Sequence, residues 1–377
     1  MTDERPAHEM RPGSRSRAPR DLLARAATIA GVIALNAAVT LGLLFVVIAA
    51  GGHEVAPALR ALWEGSFGSA YALSSATFVR AVPLMLAGLG VTLAFRAGVW
   101  NIGAEGQLLV GATAAAVIAL GAPRALGVMT LPVALAGGAA AGALWAGIAA
   151  LLRQRFGVLE VISTIMLNFI AVYLVGYLVR GPLQESSHIY PQSAALDPVA
   201  RLPRLLPGSR LHWGLLIALA AAPALWWALS RTAAGFRVRA VGENPDAARI
   251  AGEIDVARTR AGAFLLSGAF AGLAGAIELT GVTFALYENL SPGYGFTAIA
   301  VALLARLDPR AVVLTAALFG GLESGALAMQ REAGIPAATV SIVEGALILL
   351  ALAGSSTEMR RLRALFRRRG ADGDAAR

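Results

Sequence analysis

The stretch "NIGAEGQLLVG", Asn101–Gly111, decides how the rest of the chain is read. Its second half opens a long apolar helix of small residues. Its first half places Asn101, Glu105 and Gln107 at the edge of, or inside, that apolar run. An ionised glutamate at the centre of a bilayer costs about 2.5–3.5 kcal/mol on insertion scales. Such a residue persists only where it faces protein, water or a ligand. One reading makes Glu105 part of a translocation path or gate. The other makes the stretch a helix start, with Asn101 as cap and Glu105 beside the positive end of the dipole. Spacing alone puts Asn101 and Glu105 on one face, and Gly103, Gln107 and Gly111 on a neighbouring one.

The surroundings are those of a bilayer. Of the 377 residues 57% are hydrophobic and 15% charged, where soluble domains carry nearer a quarter charged, and the mean hydropathy is +0.67. Apolar runs of about 20 residues, enough to cross a hydrocarbon core, fall near 26–50, 76–95, 102–121, 126–152, 158–180, 212–230, 261–281, 294–307, 310–329 and 337–354. The expected fold is all-α and polytopic, with about ten transmembrane helices. The eighth run is short and the second contains Pro83, so both are candidates for bent or re-entrant segments.

Composition also excludes chemistry. With no cysteine, disulfides, thiolate nucleophiles and Cys-ligated metals are out. All 32 basic residues are arginine, and a Walker A loop needs lysine, so ATP energy would have to come from a partner chain. The four histidines (His8, His53, His188, His212) lie in tails, loops or at a span edge, with no HExxH and no GxSxG elbow. No catalytic or metal site is expected. The net charge of +9 sits in tails and loops between spans, which fits topology and lipid contacts rather than nucleic acid.

Positive charge sets the expected orientation. Residues 1–25 are expected to be a basic disordered cytoplasmic tail, with Arg5, Arg11, Arg15, Arg17, Arg20 and Arg25, and 356–377 a second basic cytoplasmic tail with "RRLRALFRRRG". Arg153 and Arg155, and the arginines of loop 231–260, fall on the same side. Loop 181–211 falls outside despite Arg201, Arg204 and Arg210. The membrane-spanning body is 26–355. "AGVWNIGAEGQLLVG" has a counterpart in "ENLSPGYGFTAIAV", each a Gly-bearing polar break leading into a small-residue helix, as in two inverted halves around a midplane site.

Other polar residues lie within spans. Glu160, Thr164 and Asn168 form an i,i+4 stripe, with Ser163 beside it, either lining a cavity or bonding a neighbouring helix. Glu278, Glu323 and Glu344 are open to path-lining or structural pairing. In loop 231–260, "NPDAARIAGE" carries a helix start: Asn244 as cap, Pro245 in the first turn, Asp246 near the dipole end. Ala247, Ala248, Ala251 and Gly252 give it a small-residue face suited to a groove on another protein.

Together, "NIGAEGQ", "GFRVRAVGENPDAARIAG", "SGAFAGLAGAIE" and "SPGYGFTAIAVALLARLDP" resemble the permease subunits of ATP-binding-cassette (ABC) importers in the branched-chain amino acid, ribose and nucleoside superfamily. "STIMLNFIAVYLVGYLVRGPL" with "LHWGLLIAL" is similar to the nucleoside (guanosine-type) uptake branch, also labelled simple-sugar permeases. The resemblance implies a bacterial inner-membrane, multi-pass subunit with both termini cytoplasmic, and no cofactor bound by this chain. It implies a second related permease, a cytoplasmic ABC ATPase holding ATP and Mg, and an extracytoplasmic substrate-binding protein. It carries the coupling role to Gly242, Asn244, Pro245, Ala248 and Gly252, with Glu243, Ala247 and Arg249 in the same segment; "AGE" stands where "AGI" is more usual, and Ile254 follows at once. The residues expected along the substrate path are Asn101, Glu105, Gln107, Thr164, Asn168 and Glu323. The rival is an ion-coupled secondary transporter with Glu105 or Glu323 as proton site.

Overall fold

A computed structural model describes residues 48–252 and 254–336, with isolated positions at 42, 45, 46, 338, 342 and 345. Both tails, nearly all of the first and last expected spans, and Glu344 lie outside the described residues.

The described chain is helical. A short helix α1 (Val55–Ser66) precedes α2 (Ala70–Arg96), α3 (Ala104–Gly121), α4 (Thr130–Phe156), α5 (Glu160–Arg180) and α6 (Gly214–Arg231). Two short helices follow, α7 (Ala233–Glu243) and α8 (Pro245–Gly252). Then come α9 (Val256–Glu278), α10 (Tyr294–Leu304) and α11 (Pro309–Ala333). Seven helices among the described residues are long and apolar enough to cross a membrane. With the short α10 they account for the eight inner expected spans. The boundaries move where polar residues extend a helix past its apolar run: α2 begins at Ala70 rather than 76, and α9 at Val256 rather than 261.

Small residues set the packing. The most extensive helix contacts join α9 to α4 and α3. A Cβ on Gly272 would collide with the Gly138 carbonyl, one on Gly142 with the Gly268 carbonyl, and one on Gly111 with the Gly272 backbone. Three backbones meet at glycines, the close approach that gives van der Waals contact where lipid supplies no hydrophobic drive. The pattern is exchanged between halves: α3 and α4 pack on α9, while α10 and α11 pack on α2. That is the symmetry expected of the two weakly similar stretches.

Two spans carry a π-helical turn, Leu73–Thr77 in α2 and Leu279–Thr283 directly after α9. Pro83 sits within a continuous helical segment, Phe78–Arg96, so the irregularity lies upstream of it. The second π turn ends at Phe284 with φ +56°. Loop 181–213 is ordered against it: the amides of Leu202, Leu196 and Ser193 donate to the carbonyls of Thr280, Phe284 and Leu286 at 2.8, 2.7 and 2.7 Å.

Candidate functional site

The opening stretch folds as a loop and a late-starting helix. Gly103 occupies the cap position of α3. Asn101 therefore lies in the preceding loop and is not the cap, and it does not share a helical face with Glu105. Its side chain does organise the start: Oδ1 accepts from Gly103 N–H at 2.9 Å and from Gln107 Nε2 at 3.0 Å. Nδ2 donates to Gln107 Oε1 at 2.9 Å and to Ser267 Oγ on α9 at 2.8 Å. Asn168, from α5, spans the same turn: Oδ1 accepts from Gly106 N–H at 2.8 Å, and Nδ2 donates to the Ile102 carbonyl at 2.9 Å. Thr164 is buried beside it, its Cβ facing Gly103 and its hydroxyl donating back to the Glu160 carbonyl at 2.7 Å. Asn101 and Asn168 thus accept from two amides at this buried helix start, those of Gly103 and Gly106, while Gln107 braces the Asn101 side chain.

Glu105 is 5% exposed. Its carboxylate reaches across the molecule to a second helix start: Oε2 accepts from Gly295 N–H of α10 at 2.7 Å, and Ser291 adds a side-chain hydrogen bond. Ser291 Oγ in turn accepts from the amides of Gly293 and Tyr294 at 3.2 and 3.0 Å. A Cβ on Gly295 would collide with the backbone of Ala104 and Glu105. The N-termini of α3 and α10 therefore abut, with one carboxylate between their positive ends. The pairing joins the two similar stretches and leaves neither helix start without an acceptor.

Glu323 comes to the α10 start from another helix. It lies on α11, within electrostatic range of Tyr294, as do Arg80 and Glu278. Glu278 is 5% exposed, at the end of α9, near Arg80 and Arg210. Above it the buried His212 ring packs against Gly281 and Gly214, and Nδ1 accepts from Gly214 N–H at 3.2 Å. Burial pushes His212 down to about 4, and Arg210 adds to the effect. The ring is neutral at physiological pH. Glu160 sits at the first residue of α5 and pairs with Arg153 at 3.3 Å, which separates it from the Thr164 and Asn168 network.

Segment 231–260 is not a plain loop. Most of it is helical, and α7 was not legible as a helix in the sequence. Asn244 caps α8 as its sequence requires: Oδ1 accepts from Asp246 N–H at 3.1 Å and Ala247 N–H at 3.0 Å. The segment is seated by two inward contacts. Ala248 and Ile254 bury against Val241 and Val256, so Ile254 supplies the apolar anchor that "AGE" lacks. A Cβ on Gly242 would strike the Arg96 carbonyl. Glu243, Asn244, Asp246, Ala247, Arg249 and Gly252 face outward. So does Ile250, 83% exposed, a large apolar side chain that the sequence reading passed over in favour of the alanines.

Comparison with known proteins decides the family. The family described as branched-chain amino acid transport system / permease component matches residues 73–352. This chain belongs to that permease family. The permease is 39% identical to the guanosine ABC transporter permease protein NupP of Bacillus subtilis, over 90% of this chain and 97% of that one. It is 41% identical to the glucose ABC transporter permease protein TsgB13 of Haloferax volcanii, over 79% and 80%. It is 30% identical to a second guanosine ABC transporter permease protein of Bacillus subtilis, NupQ, over 66% and 80%. No solved structure matches the permease.

Proposed function

We propose that this permease is the membrane-spanning subunit of a bacterial ABC importer for nucleosides, pairing with a second related permease in the inner membrane. A cytoplasmic ABC ATPase, holding ATP and Mg, and an extracytoplasmic substrate-binding protein complete the system. Relatives named for guanosine support the cargo, and the occurrence of two such permeases in one organism supports the pair.

The observation that carries the mechanism is α8: an exposed, side-chain-capped helix seated through Ala248 against Val241 of α7 and Val256 at the start of α9. The helix before it, α7, runs into α8 through Asn244 and touches the end of α2, where Gly242 meets the Arg96 carbonyl. A push on α8 from an ATPase would reach the junction loop, because residues 97–103 connect α2 to α3. Asn101, Glu105, Gln107, Thr164 and Asn168 border the substrate path as the group that holds the two half-helix starts in register, and Glu323 borders it from α11. Glu105 is already used as a cap, which favours an ATP-driven cycle over a proton-coupled one.

The test is uptake into proteoliposomes by the co-expressed complex, with radiolabelled guanosine, adenosine and glucose, with and without ATP on the ATPase side. ATP-dependent nucleoside uptake, lost on Asn244→Asp with Pro245→Gly, supports the proposal. Uptake driven by a proton gradient and indifferent to ATP overturns it. A simple-sugar importer is the second reading, favoured by the 41% identity to the glucose permease protein; uptake of glucose alone would establish it.

A further inference from the structure

Between the last turn of α4, the first turn of α5, α8 and the start of α9 lies a cavity of about 230 Å³. Arg153, Arg249 and Arg260 line it, against one carboxylate, Glu160. Glu160 Oε2 lies 3.3 Å from Arg153 as an ion pair but, like Arg260 Nε, makes no hydrogen bond among the described residues. Arg249, an outward-facing side chain at the mouth of the cavity, pairs among the described residues with its exposed neighbour Asp246 at 3.9 Å. Arg260 Nε is buried and makes no hydrogen bond among the described residues, although a buried guanidinium N–H ordinarily finds an acceptor. The rest of the wall is apolar, with Val99, Ala261 and Phe264.

Three guanidiniums against one carboxylate, one of them carrying an unanswered buried donor, call for an anion with several acceptor oxygens. Planar N–H forks match phosphate oxygens. The neighbouring surface carries exposed Leu151, Phe156, Leu159 and Ile162, an apolar apron at the α4–α5 turn. We propose that this cavity binds a phosphate-bearing group, with the phosphodiester headgroup of an anionic lipid as its occupant and the lipid's chains lying along that apron. The orientation in the "Proposed function" reading places it at the cytoplasmic leaflet, where anionic lipid and basic inter-helix pockets meet. Because Arg249 belongs to α8, occupancy ties the coupling helix to α4, α5 and α9. The site therefore senses lipid through the element that would receive the ATPase.

The test counts bound lipid and is independent of transport. The purified transporter complex is placed in nanodiscs of phosphatidylcholine with increasing phosphatidylglycerol, and retained lipid is read by native mass spectrometry. The expected result is one tightly retained phosphatidylglycerol per copy of this chain. Arg153→Gln with Arg260→Gln should weaken retention by about tenfold or more, given the attraction of each cation for an anionic headgroup. Arg260→Lys, which keeps the charge, should preserve much of it, and Arg60→Gln, an exposed arginine on α1, should change nothing. If millimolar inorganic phosphate displaces the lipid and raises the melting temperature in pure phosphatidylcholine, the phosphate chemistry stands and the source is soluble. Equal retention by the double variant and the wild type overturns the site. Retention only when the ATPase is absent also overturns it, since a side chain of the ATPase would then be the occupant.

Discussion

At the residue scale, Glu105 shows why a carboxylate is tolerated in so apolar a chain. It answers the amide of Gly295, a backbone donor that otherwise has no acceptor in its helix. Removing the acceptor while leaving the donor buried costs about 1–3 kcal/mol. Glu105→Ala should therefore lower the melting temperature of the detergent-solubilised complex, whereas Glu105→Gln, which keeps an acceptor oxygen, should keep most of the stability. Equal melting of the alanine variant and the wild type would remove the capping role. His212 gives a second residue-scale expectation. Its folded pKa is depressed to about 4 against an unfolded value of about 6.5. Between these values the unfolded chain binds more protons than the folded one, so stability is complete above about pH 6.5 and falls as pH drops towards 4. A shift of this size corresponds to about 3 kcal/mol. His212→Gln should flatten the acid limb of a melting-temperature profile over that window, and an unchanged limb would show that other groups set it.

At the element scale, legibility followed locality. The spans could be read because apolar length is a property of consecutive residues. The α8 cap could be read because Asn244, Asp246 and Ala247 are neighbours in sequence. The junction could not, because its bonds join positions far apart: Glu105 to Gly295 across 190 residues, and Asn101 to Ser267 across 166. Of the two local readings, the one that made Asn101 the cap misplaced it by two residues, since Gly103 holds the cap position and Asn101 accepts from its amide. The short α7 was missed because its arginines and glycines carry no apolar periodicity, although its start carries a local signal, Thr232 Oγ1 accepting from Gly235 N–H at 3.1 Å. The exposed Ile250 escaped because a single apolar residue in a polar helix looks like an inward one. These elements carry their own prediction. Asn244→Ala removes the Oδ1 that accepts from two amides and should weaken α8 by about 1 kcal/mol. Ile250→Asp leaves the helix intact but charges its outermost apolar side chain. Both should lower transport, and the ATPase stimulated by substrate should fall with it. A wild-type rate in Ile250→Asp would show that the outward face of α8 is not the one engaged.

At the scale of the whole molecule, the two abutting helix starts, the exchanged packing of α3 and α4 on α9 and of α10 and α11 on α2, and the single outward α8 describe a body with unlike ends. One end carries the ordered 181–213 loop, stitched to the π turn after α9. The other carries α7, α8 and the arginine-lined cavity. The proposed orientation puts the arginine-rich end in the cytoplasm, since arginine beside a span is retained on that side. The absence of cysteine from the whole chain makes this directly measurable, since any introduced cysteine is unique. Ser187 and Ala247 are both exposed, in the 181–213 loop and on α8. In intact cells or spheroplasts, a membrane-impermeant maleimide should label Ser187→Cys and spare Ala247→Cys. After permeabilisation both should react, unless a bound ATPase covers the second. Labelling of Ala247→Cys from outside would invert the molecule, put α8 out of reach of any cytoplasmic ATPase, and remove the physical basis for coupling through it.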